Sequence, residues 1–302
     1  MSTRTIRALT IDTMLLRQNL EPNPGPPNKS NLSIVTFNCN GLGEPKKLQR
    51  LLKKLNPMVE NDTIILLQET HVLDNEYLGR TLKHKVVSNG YKTNSAGVMI
   101  LFNQKFNLKF EIKDKVGRQI VIAIDDGNNK LIIANAYFPN DLKEGINFAQ
   151  IFYTNILAAQ ANFDKYVVIC GGDFNVCLNP NDQLNRKKKQ YKNELAKAIE
   201  GNNKVLKLKD AYRAIHPKRG FSWKRGMTYS RLDYLFVSEE LVKSIVSSNT
   251  DWAFETSDHA AVKIDFKIVE LPCRGPGIVK VNVKILDNQT TVKKIGEEML
   301  SQ

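Results

Sequence analysis

From position 32 onward, short apolar runs bounded by charge or glycine alternate with stretches whose apolar residues return every three or four positions. LSIVTFN (32–38), DTIILLQET (62–70), GVMILF (97–102), RQIVIAID (118–125), LIIANAYF (131–138), YVVIC (166–170), RLDYLFVS (231–238) and SDHAAVKIDF (257–266) have the length and β-branched content of strands. Helical spacing predicts helices near Pro45 to Leu55, over Asp141 to Phe163, where Ile146, Ala149, Phe152 and Ile156 share a face, and over Lys187 to Glu200. Strands alternating with helices predict the α/β class and one layered core spanning 31–268.

The two ends do not follow this pattern. Residues 1–30 are polar and close on Pro22-Asn23-Pro24-Gly25-Pro26-Pro27, so they are expected to be a disordered leader. Residues 269–302 open on LPCRGPG (271–277) and are expected to be a linker. No apolar run approaches the roughly 18 residues of a membrane span, which excludes a membrane partner. The four cysteines lack CxxC pairing and the N-terminus has no secretory signal, so a reducing compartment is expected. Cys39 and Cys170 sit in strand-like runs and read as packing residues.

Composition adds a partner. Among 302 residues the formal charge is +13 and the isoelectric point about 9.5, a balance that favours polyanions through counterion release. A solubilising surface is the bland alternative.

Chemistry enters where polar residues fall against the strands. Asn38, Glu69, Tyr137, Asp173, Asn175, Asp258 and His259 all stand at or just past strand ends, where α/β folds place sites. In GGDFN (171–175) the glycines permit a sharp turn, and Asp173 and Asn175 project from one side of the backbone; an Asx-turn is the alternative. Glu69 in QETH (68–71) is a hard oxygen ligand for Mg²⁺, or else a salt-bridge or cap residue, while His71 reads as a bystander. His259 in SDH (257–259) is an acid–base group or phosphate clamp if a carboxylate holds its other nitrogen, and Asp233 is the candidate; a satisfied core histidine is the alternative.

Together these residues fit phosphodiester hydrolysis, with a metal at Glu69, water activated by Asp173, and charge stabilised by Asn38, Asn175 and His259. No GxSxG elbow, P-loop or dinucleotide fingerprint competes.

In their order, TFNCNGL (36–42), QETH, AYFPN (136–140), GGDFN, SRLDYLFVS (230–238) and SDHAAV (257–262) resemble the endonuclease/exonuclease/phosphatase superfamily over residues 30 to 268, most closely the N-terminal endonuclease of a LINE-type retrotransposon polyprotein. The resemblance implies a four-layer α/β sandwich, two mostly antiparallel or mixed sheets face to face with helices outside. It implies a DNA endonuclease dependent on Mg²⁺, with Mn²⁺ as a substitute, that nicks one strand and leaves a 3′-hydroxyl to prime reverse transcription. Abasic-site repair, a catalytically inactive DNA-binding module and a lipid or inositol phosphate phosphatase are the alternatives.

The same resemblance assigns residues. Asn38 orients phosphate, Tyr137 contacts it, Asp173 and Asn175 activate water, and Asp233 and His259 form a buried dyad. Glu69, Asn40 and Asp258 stand on the metal side, Asn40 where repair enzymes more often carry an acid. Arg186, Ser222 and Arg231 are expected to face double-stranded DNA, Ser222 within the hairpin region 221–230. RGPGIVKVNVKILDN (274–288) resembles the stretch leading into a reverse transcriptase, and NLEPNPGP (19–26) a 2A-like skipping peptide with separation between Gly25 and Pro26, although Asn19 stands where Asp is usual. Action in the nucleus after cytoplasmic synthesis follows from that role, and the oligomeric state stays open.

Overall fold

The computed structural model describes residues 31–59, 62–72, 84–92, 95–185, 194–218, 220–254 and 257–267. The leader with Gly25 and Pro26, the linker, and Arg186 lie outside them.

Two six-stranded sheets make the body. The first contains β1 (Asn31–Asn38), β2 (Thr63–Gln68), β3 (Lys85–Asn89), β4 (Val98–Phe102), β14 (Ile245–Asp251) and β15 (Ala261–Lys267), in the spatial order β14-β15-β1-β2-β4-β3. The second contains β5 (Asn107–Lys113), β6 (Gln119–Asp125), β7 (Lys130–Tyr137), β8 (Val167–Asp173), β10 (Leu208–Asp210) and β13 (Asp233–Ser238), in the order β10-β13-β8-β7-β6-β5. Each is mixed: β1 with β2 and β7 with β8 are parallel, and the other pairs are antiparallel. A small third sheet joins β9 (Gln183–Leu184), β11 (Trp223–Arg225) and β12 (Thr228–Ser230).

The four layers follow from strand parity. Side chains alternate between faces, so in β2 Ile64 and Leu66 enter the cluster between the sheets while Ile65 and Leu67 meet helix α1 (Pro45–Val59) through Leu51, Leu52 and Leu55. In β7, Leu131 and Ile133 face the first sheet, and Ile132, Ala134 and Ala136 face helix α2 (Leu142–Asn162). Asp141 caps α2 by accepting from the Glu144 backbone N–H, and Phe148, Ala149, Phe152 and Ile156 form its buried stripe. Helix α3 (Glu194–Val205) packs beside α2 through Leu195, Ala196 and Ile199; its described part starts later than the predicted Lys187. The short helix α4 (Ala211–Ile215) follows β10 directly. No described helix is long and apolar enough to cross a membrane.

Strands β3, β5 and β14 have no counterpart among the predicted elements. All three are sheet edges, and β5 is largely exposed on both faces, so neither alternation nor an apolar run marks them.

Candidate active site

The C-terminal ends of β1, β2, β7 and β8 fall at one rim of the sandwich, because parallel pairing holds Asn38 opposite Gln68 and Tyr137 opposite Asp173. Gly172 makes the junction possible. Its φ is +141°, and a Cβ there would sit 1.9 Å from the Ala136 carbonyl oxygen, so only glycine lets β8 pass β7 and deliver Asp173.

Asn38 joins the two sheets. Fully buried, it donates through Nδ2 to Glu69 Oε1 at 2.7 Å and to Asp173 Oδ2 at 3.0 Å, and its Oδ1 accepts from the Asn40 backbone at 3.0 Å. Asp173 Oδ1 accepts the backbone N–H of Asn175 at 2.9 Å, and Asn175 Nδ2 donates to the Phe138 carbonyl at 2.9 Å. Asn40, Glu69, His71 and Asn175 all occupy left-handed backbone (φ 48°, 50°, 56° and 49°), a costly conformation that clusters where geometry serves function.

On the other side, Asp233 opens β13 directly opposite Asp173. Its Oδ2 accepts a hydrogen bond from the Nδ1–H of His259 at 2.8 Å, which turns Nε2 toward Asp173 Oδ2, 3.8 Å away. Burial pushes the imidazole down, but the Asp233, Asp173 and Asp258 carboxylates outweigh it and lift its pKa to about 10. Burial pushes the Asp173 carboxyl up to about 7, with His259 opposing and Asp233 adding to the rise. The pair is therefore a charged imidazole beside a carboxyl able to take or hold a proton near neutrality. Burial, Glu69 and Asp173 also raise the Tyr137 phenol, whose ring lies under the Arg118 guanidinium at 4.6 Å.

One ligand atom from each of Asp173, Asp233 and His259 lies within 4.8 Å of the others, a spacing able to hold a metal ion. Asp233 Oδ1 is buried with no partner among the described residues, an acceptor that a cation or its water would satisfy. A histidine held protonated is a poor ligand, however, and Mg²⁺ prefers oxygen. The donor set therefore fits a hard divalent ion best toward Glu69, whose side chain is 21% exposed and tied to Asp173 through Asn38.

Two residues expected on the metal side stand differently. Asn40 is exposed and contributes its backbone N–H to Asn38. Asp258 lies outside the three-residue group, and its Oδ2 accepts the Trp223 indole N–H at 2.8 Å.

The expected DNA contacts need correction. Arg231 is 2% exposed, and its guanidinium is consumed by Asp182 Oδ1 at 2.8 Å and Asp210 Oδ2 at 2.6 Å, an internal ion network that Arg213 completes at Asp182. It cannot reach a phosphate. Ser222 is also fully buried; its Oγ accepts the backbone N–H groups of Leu232 and Asp233, each at 3.0 Å, and so fixes the start of β13.

Sequence reading also passed over two residues at the site. His71, taken for a bystander, places Nε2 3.4 Å from Glu69 Oε2. Ser257 donates to the Asn38 carbonyl at 2.8 Å and accepts from the His259 backbone at 3.1 Å, bridging residues more than two hundred positions apart. Its place as the first residue of the SDH motif was the only available signal.

The sequence profile of the Endonuclease/Exonuclease/phosphatase family matches residues 35–259. Among solved structures, an AP endonuclease from Archaeoglobus fulgidus aligns with a TM-score of 0.63 at 21% identity, covering 78% of this chain and 100% of that one. The AP endonuclease LMAP from Leishmania major gives 0.64 at 16% identity, covering 83% and 93%. The catalytic domain of Xenopus laevis APE2 gives 0.65 at 19% identity, covering 82% and 94%. At these identities the likeness is one of fold.

Proposed function

We propose, on the premise that the chain belongs to the endonuclease/exonuclease/phosphatase family, that it is a metal-dependent endonuclease that nicks one strand of duplex DNA and leaves a 3′-hydroxyl from which reverse transcription starts. The observation that carries the phosphodiesterase reading is the convergence of Glu69, Asn38, Asp173, Asp233 and His259 at one rim, with proton-poised Asp173 facing a cationic imidazole.

The chain's own residues divide the work. Asp173 takes a proton from water as its oxygen attacks phosphorus in line. The P–O3′ bond breaks, the departing oxygen takes a proton from solvent water to become the 3′-hydroxyl, and the 5′-phosphate, which carries the new P–O bond, remains on the other fragment. His259, held by Asp233, donates from Nε2 to the phosphoryl oxygen on which charge accumulates, and in this reading the Asn175 amide and the Tyr137 hydroxyl hold the same group. Glu69 would hold a divalent cation, which when bound would supply Lewis-acid polarisation of the phosphate.

The retrotransposon setting rests on the motif order, the 2A-like NLEPNPGP segment and the linker resembling the approach to a reverse transcriptase. Nuclear action on double-stranded DNA belongs to the same reading. Abasic-site repair is the second reading, favoured by the shared fold of the AP endonucleases above.

Supercoiled plasmid incubated with Mg²⁺ tests the first reading: the expected product is the open circle with a 3′ end that a polymerase extends, and EDTA abolishes it. Activity that survives EDTA removes the metal. A duplex carrying one abasic analogue separates the two readings, because a strong preference for it over intact duplex selects repair.

A further inference from the structure

Besides the bond from Asn89 to the Gln119 carbonyl at the far edge, polar side-chain contacts among the described residues cross between the sheets beneath the site in two tiers, and only the upper one, through Asn38, belongs to the chemistry described so far. The lower tier is Gln68 and Asn135, both fully buried. Gln68 Nε2 donates to Asn135 Oδ1 at 2.7 Å and to Thr36 Oγ1 at 2.9 Å, while Asn135 Nδ2 donates to the carbonyls of Leu67 and Met99, each at 2.9 Å. Asn135 lies on β7, and its partners lie on β2 and β4. All three of its side-chain bonds therefore leave its own sheet for the opposite one.

Strand parity makes this pair unusual. Gln68 is in phase with Ile64 and Leu66, and Asn135 with Leu131 and Ile133, all of which form the apolar cluster between the sheets. Two amides there replace what could have been apolar packing, and Gln68 Oε1 has no hydrogen-bond partner among the described residues. A buried polar pair of this kind restricts the sheets to the one register that satisfies it, where apolar surfaces could slide.

The pair also sits directly beneath the site. Gln68 precedes Glu69, and Asn135 lies two residues before Tyr137 and pairs in register with Gly171, two residues before Asp173. At Gly171 the sheets come close enough that a Cβ would stand 3.1 Å from Leu66 Cδ1 of the facing sheet.

We propose that Gln68 and Asn135 are positioning residues: a sheet-to-sheet clasp that sets the distance between the Glu69 side and the Asp173 side of the site without touching substrate. The assignment rests on the phosphodiesterase reading for its catalytic consequence and on the hydrogen bonds alone for the coupling.

The test uses Gln68→Leu, Asn135→Leu and the double variant of the whole chain, with melting temperature and plasmid nicking both measured. Gln68→Leu leaves the buried Asn135 Oδ1 without its donor and Asn135→Leu takes from Gln68 Nε2 one of its acceptors, so each lowers Tm, and the double variant, which removes both ends of that bond, loses less than the sum of the two. Nicking does not recover: kcat of the double variant stays about 10- to 100-fold below the parent, with KM for DNA within about twofold. Additive Tm losses overturn the clasp, and so does a double variant that cuts at the parent kcat. If the double variant does not fold, Gln68→Met, scored per folded molecule by circular dichroism, carries the same test, with about a tenfold loss of kcat expected and the parent value overturning it. A parent protein that cuts no DNA defeats the functional reading, whereas the Tm coupling answers for the clasp independently.

Discussion

The two walls of the site are built on opposite plans. Asp173, Asp233 and His259 stand on or beside regular strands of two sheets, buried, each held by a hydrogen bond to another part of the fold: Asp173 from Asn38, Asp233 through its N–H to Ser222, and His259 to Asp233. Across Asn38, Asn40, Glu69 and His71 occupy left-handed turns at strand ends and keep partial contact with solvent. The first wall is preorganised, so its charges need no rearrangement when the phosphorus centre gains charge. The second is open, as a face must be if it is to admit a hydrated cation and a phosphate.

The sharpest way to break that contrast is on the closed wall. Asp173→Asn keeps the shape but cannot accept a proton, and plasmid nicking should fall about 10³-fold with no rescue by added metal. On the open wall, Glu69→Gln should cost about 10²-fold at low Mg²⁺ and recover substantially as Mg²⁺ is raised. Absence of that recovery would move the cation to the closed wall.

The rate should rise with pH by about tenfold per unit below the Asp173 midpoint and level above it, because only the ionised carboxylate accepts the proton. Burial places that midpoint at about 7 without metal, and a bound cation draws it lower. A flat profile from pH 5 to 8 would show that Asp173 does not titrate in the working enzyme. Smallest is Ser222→Ala, which unpairs the N–H groups of Leu232 and Asp233; a loss of about 1–3 kcal/mol in stability by denaturant titration is expected, with only a few-fold change in rate.

The contrast also explains what could be read from the chain alone. Interior strands carry unbroken apolar runs, so β1, β2, β4, β6, β7, β8, β13 and β15 were legible, and with them the polar residues at their ends. Edge strands β3, β5 and β14 were not, since a strand paired on one side only and partly open to solvent carries neither an apolar run nor a clean alternation. Residue type told which groups carry chemistry but not which way they face. Arg231 looks like a phosphate contact until its carboxylate partners appear, 49 and 21 positions upstream at Asp182 and Asp210. His71 looked solvated because its neighbour across the turn, Glu69, is oriented by φ values that sequence does not announce.

Strand β11 is spliced to the histidine segment: Trp223 bridges to His259, the Lys224 N–H bonds to the Asp258 carbonyl at 3.0 Å, and the Ala260 N–H to the Ser222 carbonyl at 2.7 Å. Whatever tugs on the β11–β12 hairpin therefore acts as a lever on the imidazole. An engineer who wishes to readdress the protein by grafting a foreign hairpin should splice at Arg225 or later, because a graft that reaches back to Ser222 would retune turnover along with address.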